Sequence, residues 1–202
     1  MMVSTSSHQR LTARLILEPL TPADAADLFQ IYGDPATWEH LPDGRFTELA
    51  QAEQQVERSA ASHRVRGLGM WGIRVGAAGA TEELPAGTFI GSGGLQYVDD
   101  AGIWNLGYRL TPRAWGRGFA TEISRAALEA GAVLAPEIPI TARVLSNNPA
   151  SVAVLDKLGL TLVWEGVPAH AGVGTGAAAP LRRVYADREL SPVARSWLVS
   201  NA

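Results

Sequence analysis

Residues 106–122, LGYRLTPRAWGRGFATE, constrain the fold of this chain more than any other segment. The segment begins as a strand that ends near Leu110, passes through a loop with glycines at 116 and 118, and enters an apolar helix. Glycines in such a loop let successive backbone N–H groups point at an anion. The start of a helix adds unpaired N–H groups and a partial positive charge. The segment therefore predicts a strand–loop–helix unit that can hold a pyrophosphate.

The side chains around this loop fit the same interpretation. Arg109, Arg113 and Arg117 supply positive charge in the sequence neighbourhood, and Thr121 adds a hydroxyl. A glycine-rich helix start is also what a plain tight turn requires, so the loop alone leaves both readings open. A second glycine pattern, G-x-G-x-x-G at 67–72, follows a helix and enters a strand. A dinucleotide-binding motif needs the reverse order, so these are expected to be turn glycines.

The pattern of apolar residues predicts a single mixed α/β domain. The chain has 202 residues, of which 47% are hydrophobic, enough for one substantial core. Residues 1–12 and 191–202 are expected to be tails around a domain at 13–190. We expect strands at about 14–20, 70–75, 88–98, 103–110, 138–145, 160–164 and 181–189, and helices at about 21–32, 47–64, 116–131 and 148–158.

Composition excludes several kinds of site. Without cysteine the chain has no disulfide, thiolate zinc site or cysteine nucleophile, and its four histidines are too dispersed for metal-ligand spacing. No apolar run reaches the roughly 18 residues of a membrane span, and the N-terminus lacks the apolar region of a signal peptide. We therefore expect a cytoplasmic protein that does not associate with a membrane. The net charge of −3 argues against nucleic acid as a partner.

Charge is distributed unevenly along the chain. Residues 1–100 hold 7 arginines and 13 acidic residues, a net charge of −6, whereas residues 101–202 carry a net charge of +3. A basic second half is compatible with a small polyanionic ligand, although a chance asymmetry would look the same.

A second informative segment follows about 30 residues after the first. In residues 141–166, TARVLSNNPASVAVLDKLGLTLVWEG, Asn148 before Pro149 is a sound helix N-cap and Ser151 stands in the first helical turn. These capping roles need no ligand. The two segments together are more specific than either of them alone.

The paired patterns G-Y-R-L-x-P-x-x-W-G-x-G-x-A-T-E and N-x-P-A-S-x-x-V-L-x-K-L-G-L resemble the GNAT superfamily of acetyl-CoA-dependent N-acetyltransferases. Within it the chain looks most like the branch of ribosomal-protein N-terminal acetyltransferases. The resemblance covers about residues 12–190 and includes R-L-I-L-E-P-L-T-P-x-D-A at 14–25 and G-x-F-I-G-x-G-G-L at 87–95. It implies a single-domain GNAT fold, with a mostly antiparallel sheet of about seven strands, about four helices, and strands 103–110 and 138–145 splayed at the cofactor.

The resemblance also implies roles for individual residues. Acetyl-CoA would be the co-substrate, without a metal. The strand edge at Leu110 would bind the pantetheine and polarise the thioester carbonyl, Asn148 would contact the pantetheine, and Ser151 could protonate the leaving thiolate. The pyrophosphate would be held by the loop and the first helical turn, at Arg113, Trp115, Gly116, Arg117, Gly118, Ala120 and Thr121.

One departure from the family pattern concerns the general base. The related branch often carries glutamate two residues before the Gly-Tyr pair, where this chain has Asn105, which cannot take a proton. His170, Glu165 and His40 are the alternative bases. Loss of the proton to water, with the enzyme only positioning the amine, is a fourth possibility.

The acceptor is expected to be an amine, either a peptide N-terminus or a small molecule. Trp38, His40 and Trp71 could wall its site, whereas Trp104 is expected to fill the core. Acidic residues at Asp34, Glu39, Asp43 and Glu48 could attract a cationic amine or simply face solvent. We expect a monomeric or homodimeric enzyme. The alternatives are an acetyl-CoA-binding regulatory module without turnover, motivated by Asn105, and a nucleic-acid-associated protein.

Overall fold

The computed structural model describes residues 9–167 and 180–201 as a mixed sheet with helices on both faces. The strands run in the order β1-β2-β3-β4-β5-β6-β8-β7, and only β5 and β6 pair in parallel. The strands are β1 Arg10–Leu11, β2 Leu15–Pro19, β3 Met70–Val75, β4 Phe89–Val98, β5 Ile103–Leu110, β6 Ile140–Leu145, β7 Thr161–Gly166 and β8 Arg182–Ala186. The helices are α1 Ala25–Tyr32, α2 Leu49–Arg66, α3 Phe119–Leu134, α4 Pro149–Lys157 and α5 Pro192–Ser200.

The main core lies between the sheet and α3. Ile123 and Ala127 of α3 are fully buried in it with Ile73, Ile90 and Leu95 of the strands. Gly131 lets α3 lie close to the sheet, because an added Cβ would be 2.8 Å from Ile140 Cδ1. Gly131 therefore sits inside the helix rather than near its expected end, and α3 continues to Leu134.

The opposite face of the sheet is covered by two separate groups of helices. Helices α1 and α2 pack there around Leu28, Trp38 and Val56, and α5 packs around Ala194 and Leu198. Alternation along the strands places side chains on one face or the other. In β3, for example, Trp71 points into the core under α3, whereas Met70 points toward α1 and α2.

The predicted mixed α/β architecture with a mostly antiparallel sheet is confirmed, and residues 9–167 and 180–201 hold eight strands instead of about seven and five helices instead of about four. The difference comes from the two ends of the chain. Arg10–Leu11, expected within a tail, pair with β2. Residues 192–200, also expected as a tail, form α5, capped by Ser191 and anchored by buried Ala194 and Leu198. The apolar residues of 192–200 are too few to indicate a helix from the sequence alone, without the sheet that buries them.

The parallel pair β5–β6 opens partway along its length. Its ladder joins only Trp104–Leu106 to Ile140–Ala142. Beyond these pairs β5 continues to Leu110 and β6 to Leu145. The two strands therefore continue without pairing beyond the ladder, as expected of a splay, and we call the unpaired interval between them the gap.

Candidate active site

The loop that connects β5 to α3 has a backbone suited to an anion. Gly116 and Gly118 have φ of 71° and 76°, in the left-handed region that favours glycine. Gly118 is the N-cap of α3, and no side chain caps this helix. Asn148 and Ser191, by contrast, cap α4 and α5 with their side chains. The first N–H groups of α3 have no intrahelical partner, as at any helix start, and they also lack the side-chain cap that α4 and α5 have.

Two arginines shape the loop, and one of them was missed from the sequence. Arg14 donates to the carbonyl of Arg117 at 2.8 Å, and its guanidinium lies 4.8 Å from the centre of the Phe119 ring. Arg117 itself pairs with Glu83 at 2.7 Å, and Arg113 is exposed. Arg14 precedes the loop by about a hundred residues, so only its place in the opening R-L-I-L-E-P-L pattern could have suggested it.

Leu110 and Trp115 join the strand edge to the loop. Trp115 Nε1 donates to the Leu110 carbonyl at 2.9 Å while its ring stays half exposed. Trp104 N–H donates to the carbonyl of Pro139, the residue just before β6. Every second residue of a strand directs its backbone N–H and C=O groups to the same neighbouring strand. The backbone groups of Tyr108 and Leu110 therefore face the gap between β5 and β6.

The start of α4 borders the same gap. Asn148 Oδ1 accepts a hydrogen bond from Ser151 N–H at 3.1 Å, which is the capping role expected from the sequence. Asn147 Nδ2 donates to the His40 carbonyl at 3.3 Å and so ties this start to the loop after α1. Neither Asn147 nor its contact with His40 was predicted.

Tyr108 is a further residue that sequence reasoning missed. Burial raises the pKa of its hydroxyl, and the nearby Ser151 side chain partly opposes that rise. Tyr108 Oη is buried and has no partner of full hydrogen-bond geometry among the described residues. Strand alternation places it with Leu106 and Leu110 on the α3 side. The Gly-Tyr pair in the motif was the available signal, but its register could not be read without the sheet.

Asn105 and Arg109 of β5 lie on the other side of the sheet. Asn105 pairs with Thr141, so it shares a face with Thr141 and, two residues on, Arg143. Arg143 Nε donates to Asn105 Oδ1 at 3.4 Å, and the Arg143 guanidinium lies 5.3 Å from the centre of the Trp197 ring. Arg109 was expected beside the glycine loop; strand alternation instead turns it toward α1. It binds the Thr37 carbonyl and stacks on Trp38, 3.2 Å from the ring centre.

His40 lies at the edge of this face. Burial lowers its pKa, and the charges of Arg109 and Arg182 lower it further, against an opposing effect of Glu39. The neutral imidazole is therefore the dominant form at neutral pH. Nearby Trp38 is buried, donates to the Tyr32 carbonyl and forms an edge contact with the Tyr32 ring. Burial also lowers the pKa of Arg109 to about 10.

Several predicted site residues lie elsewhere. Trp71, expected to wall the acceptor site, is buried in the core under α3, on the opposite face from Trp38. Trp104 is fully buried, as expected of a core residue. Glu165 pairs with Arg183, whose strand position places it on the α3 side, away from Asn105. His170 lies outside the described residues.

The four acidic residues of the first loop do not form a cluster at the gap. Asp34 Oδ1 accepts from Ala36 N–H and caps a short helical turn, and Glu48 belongs to the capping box of α2. Glu39 and Asp43 are exposed. Local capping accounts for two of these positions without an attraction for a cationic amine.

Comparison with known proteins decides the family. Residues 14–161 match the acetyltransferase (GNAT) domain family. The chain belongs to the GNAT acetyltransferase family. It is 26% identical over 153 residues to the uncharacterized protein YkkB of Bacillus subtilis (strain 168), a match that covers 74% of this chain and 83% of YkkB.

Solved structures of other acetyltransferases share the fold of this GNAT protein. An acetyltransferase from Agrobacterium tumefaciens str. C58 superimposes with a TM-score of 0.67 at 22% identity and covers 94% of this chain and 99% of its own. A ribosomal L7/L12 alpha-N-protein acetyltransferase in complex with coenzyme A superimposes with a TM-score of 0.66 at 18% identity, covering 90% and 97%. At these identities the likeness establishes the fold.

Family membership makes this chain an acetyl-CoA-dependent acetyltransferase. The loop before α3 fits that co-substrate, because glycine backbone and uncapped N–H groups stand where side chains would otherwise close the helix start. Within residues 9–167 and 180–201 no three side chains group as potential metal ligands. Over the same ranges, no helix has the length and apolar character to cross a membrane.

Proposed function

We propose that the enzyme transfers the acetyl group of acetyl-CoA to a primary amine, on a protein N-terminus or a small molecule, by direct attack and without an acyl-enzyme. The observation that carries this proposal is the gap between β5 and β6. The uncapped start of α3 lies at its α3 side, and Asn105 and His40 lie at the other. The sequence motifs favour the ribosomal-protein N-terminal branch. We also place the enzyme in the cytoplasm, as a monomer or homodimer.

On the donor side, we assign the binding of acetyl-CoA mainly to backbone groups. The N–H groups from Gly116 to Thr121 would bind the pyrophosphate, with Arg113 adding charge at the exposed rim. The free edge of β5 at Tyr108 and Leu110 would bind the pantetheine and polarise the thioester carbonyl. Asn148 would contact the pantetheine with the part of its amide that capping leaves available. Bound acetyl-CoA supplies the activated acetyl group.

On the acceptor side, His40 is the base that the described residues support best. Asn105 has no proton-accepting group of the required basicity, and Glu165 is paired with Arg183 on the opposite face. His40 is half-buried on the acceptor face, and its lowered pKa keeps the imidazole ready to accept a proton. His170, from the sequence prediction, and water stay as alternative routes for the ammonium proton.

For the leaving thiolate, Ser151 and Tyr108 form a pair of hydroxyl groups at the entrance of α4. We assign the protonation of the thiolate to Ser151, as expected from the sequence, and give Tyr108 the role of holding the Ser151 hydroxyl in place. The Tyr108 hydroxyl can do so because burial keeps it protonated and it lies close to Ser151.

The first test is thermal unfolding with and without acetyl-CoA. Saturation at 100 times the dissociation constant adds about 2.7 kcal/mol to the free energy of unfolding. For a chain of this size that corresponds to an increase in Tm of about 5–11 °C. The absence of any shift at millimolar acetyl-CoA would refute the proposal. A shift without release of free CoA on addition of amines would instead favour the regulatory module.

A further inference from the structure

Three arginines gather on the acceptor face of the sheet. Arg109 stands on β5, Arg143 on β6 and Arg182 on β8, and strand register turns all three side chains toward the same side. The charge of Arg182 lowers the pKa of both Arg143 and His40, and the charge of Arg109 also lowers that of His40, so Arg182 lies near Arg143 and His40, and Arg109 lies near His40. We call Arg109, Arg143 and Arg182 the arginine face.

The described chain does not neutralise the arginine face. In residues 9–167 and 180–201, none of its three members forms an ion pair with a carboxylate. Most other arginines of the chain do so: Arg14, Arg64, Arg66, Arg74, Arg117, Arg183 and Arg188. The sequence of residues 168–179, which precedes β8, contains no aspartate or glutamate.

Burial makes these unpaired charges costly. An ionised group that leaves water without a partner loses the stabilisation that hydration gave its charge. Burial accordingly lowers the pKa of all three arginines. Arg109 and Arg143 recover part of this cost, because each lies over a tryptophan ring and donates to a backbone carbonyl.

Arg182 has neither kind of compensation. Its Nε is buried and has no hydrogen-bond partner in the described part of the chain. A planar guanidinium binds a carboxylate or phosphate with two parallel hydrogen bonds, so Arg182 offers an unused site for such a group. The site lies beside the gap, because Arg182 pairs with Leu145 beyond the point where the β5–β6 ladder ends.

We propose that the acceptor amine carries an anionic group, a carboxylate or a phosphate, which Arg182 binds with the support of Arg109 and Arg143. This inference rests on the proposed function, since it names the substrate class of the same site. It replaces the expectation that acidic residues attract a cationic amine. It also excludes polyamines as substrates, because the arginine face would repel their additional positive charges.

The same charges assist the chemistry. Positive surroundings disfavour the ammonium form of the bound amine and lower its pKa. More of the amine is then in the neutral, nucleophilic form. This effect suits a site in which Asn105 stands where a carboxylate would hold the ammonium proton.

The test uses matched amines that differ only in the anionic group. β-Alanine and β-alaninamide form one pair, O-phosphoethanolamine and ethanolamine the other, and spermidine serves as the polycation. Each is titrated calorimetrically into the protein saturated with CoA, and turnover is followed by thiol release from acetyl-CoA. We expect the anionic member of at least one pair to bind about tenfold more tightly or better than its neutral partner. The pair whose two members differ in affinity shows whether the site prefers a carboxylate or a phosphate.

Variants of Arg182 and of its neighbour Arg183 test whether Arg182 causes the preference for the anionic amine. Arg182→Gln should abolish the preference and raise KM for the anionic amine about tenfold, and Arg182→Lys should restore part of the preference. Arg183→Gln is the matched control, because Arg183 is on the same strand but pairs with Glu165 on the opposite face. It should retain the full preference.

Three results would overturn the inference: equal binding within both pairs, no detectable binding of either anionic amine, or tighter binding of spermidine. Failure to bind acetyl-CoA would instead overturn the proposed function, so the two failures are distinguishable.

Discussion

At the residue scale, Gly118 has a backbone role and a proposed binding role, which a matched pair of substitutions can separate. Gly118 and Gly67 both have left-handed backbones, with φ of 76° and 75°. A Cβ on Gly67 meets no atom within 4 Å, and one on Gly118 meets only Arg14 Nη2, at 3.5 Å. Alanine at either position should therefore cost about 1–2 kcal/mol of stability through the left-handed backbone.

Only the Gly118→Ala substitution should also weaken acetyl-CoA binding, by about tenfold or more, since it alone disturbs the start of α3. Calorimetric titration of both variants with acetyl-CoA checks this. Equal affinities in Gly118→Ala and Gly67→Ala would remove the loop from the binding site.

His40 gives a second prediction at this scale. His40→Gln should lower kcat/KM about 100-fold if the imidazole takes the ammonium proton. The lowered pKa of His40 places the acid limb of the wild-type pH profile below 6.5. The variant should lose that limb while its affinity for acetyl-CoA is unchanged. A variant with unaltered activity and pH profile would assign the proton to His170 or to water.

The same histidine affects stability. Because its pKa is lower in the folded chain, the unfolded chain binds more protons between the two pKa values, so stability rises with pH through that window and levels off above about 6.5. Denaturant titrations from pH 5 to 7 should therefore show a weaker pH dependence for His40→Gln than for the wild type.

At the element scale, Glu122 fastens the β1–β2 turn to α3. It accepts hydrogen bonds from the Thr12 hydroxyl at 2.6 Å and from Arg14 N–H and Nε, both at 2.8 Å. Burial would raise its pKa, but these hydrogen bonds and the Arg14 charge outweigh it and lower the pKa. The stabilisation is therefore present above the unfolded pKa of about 4.5 and is lost as pH falls through the folded value.

Glu122→Gln should cost about 1–2 kcal/mol at neutral pH, because the amide keeps one acceptor but loses the charge. Glu57→Gln is the control, since Glu57 and Arg64 form an exposed pair that should change stability by less than about 0.5 kcal/mol. Urea unfolding of both variants measures the difference. Comparable losses would show that the Glu122 contacts contribute no more than a surface ion pair.

Elements with strong local patterns were predictable from the sequence. Met70–Val75 and Ile103–Leu110 have the expected bounds, and α3 and α4 begin within three residues of the expected positions. Local signals such as Asn148 before Pro149 sufficed for these. The helix α5 was missed, because its short apolar stripe becomes informative only against Val184 and Ala186 of β8.

At the scale of the whole molecule, prediction was limited by which face of the sheet a side chain occupies. Trp38 and Trp71 were both expected to wall the acceptor site, yet one lies under α1 and the other under α3. Arg109 is four residues from Arg113 but points away from the glycine loop. The arginine face joins three strands that are distant in sequence, so no local motif contains it. The candidate donor-side residues between Leu110 and Thr121 are contiguous, so sequence reasoning could propose them, whereas Arg14 and the candidate acceptor side are brought together by topology.

This division of the molecule predicts that donor and acceptor binding respond to different tryptophans. Trp115 holds the Leu110 carbonyl at the glycine loop, and Trp197 of α5 stacks on Arg143 of the arginine face. Trp115→Leu should weaken acetyl-CoA binding about tenfold with little effect on the KM of the amine. Trp197→Leu should instead raise the KM of the amine about two- to fivefold with little effect on acetyl-CoA binding, because Arg143 loses a cation–π contact of about 0.5–1 kcal/mol.

Steady-state kinetics with both substrates varied measures the two constants for each variant. The double variant should combine the single effects within about 0.5 kcal/mol, since the two side chains share no partner. If Trp197→Leu weakened acetyl-CoA binding as strongly as Trp115→Leu does, the two faces would not act as separate binding sites joined at the β5–β6 gap. If instead the two effects stay separate, the acceptor face can change its preferred amine without loss of the acetyl donor site.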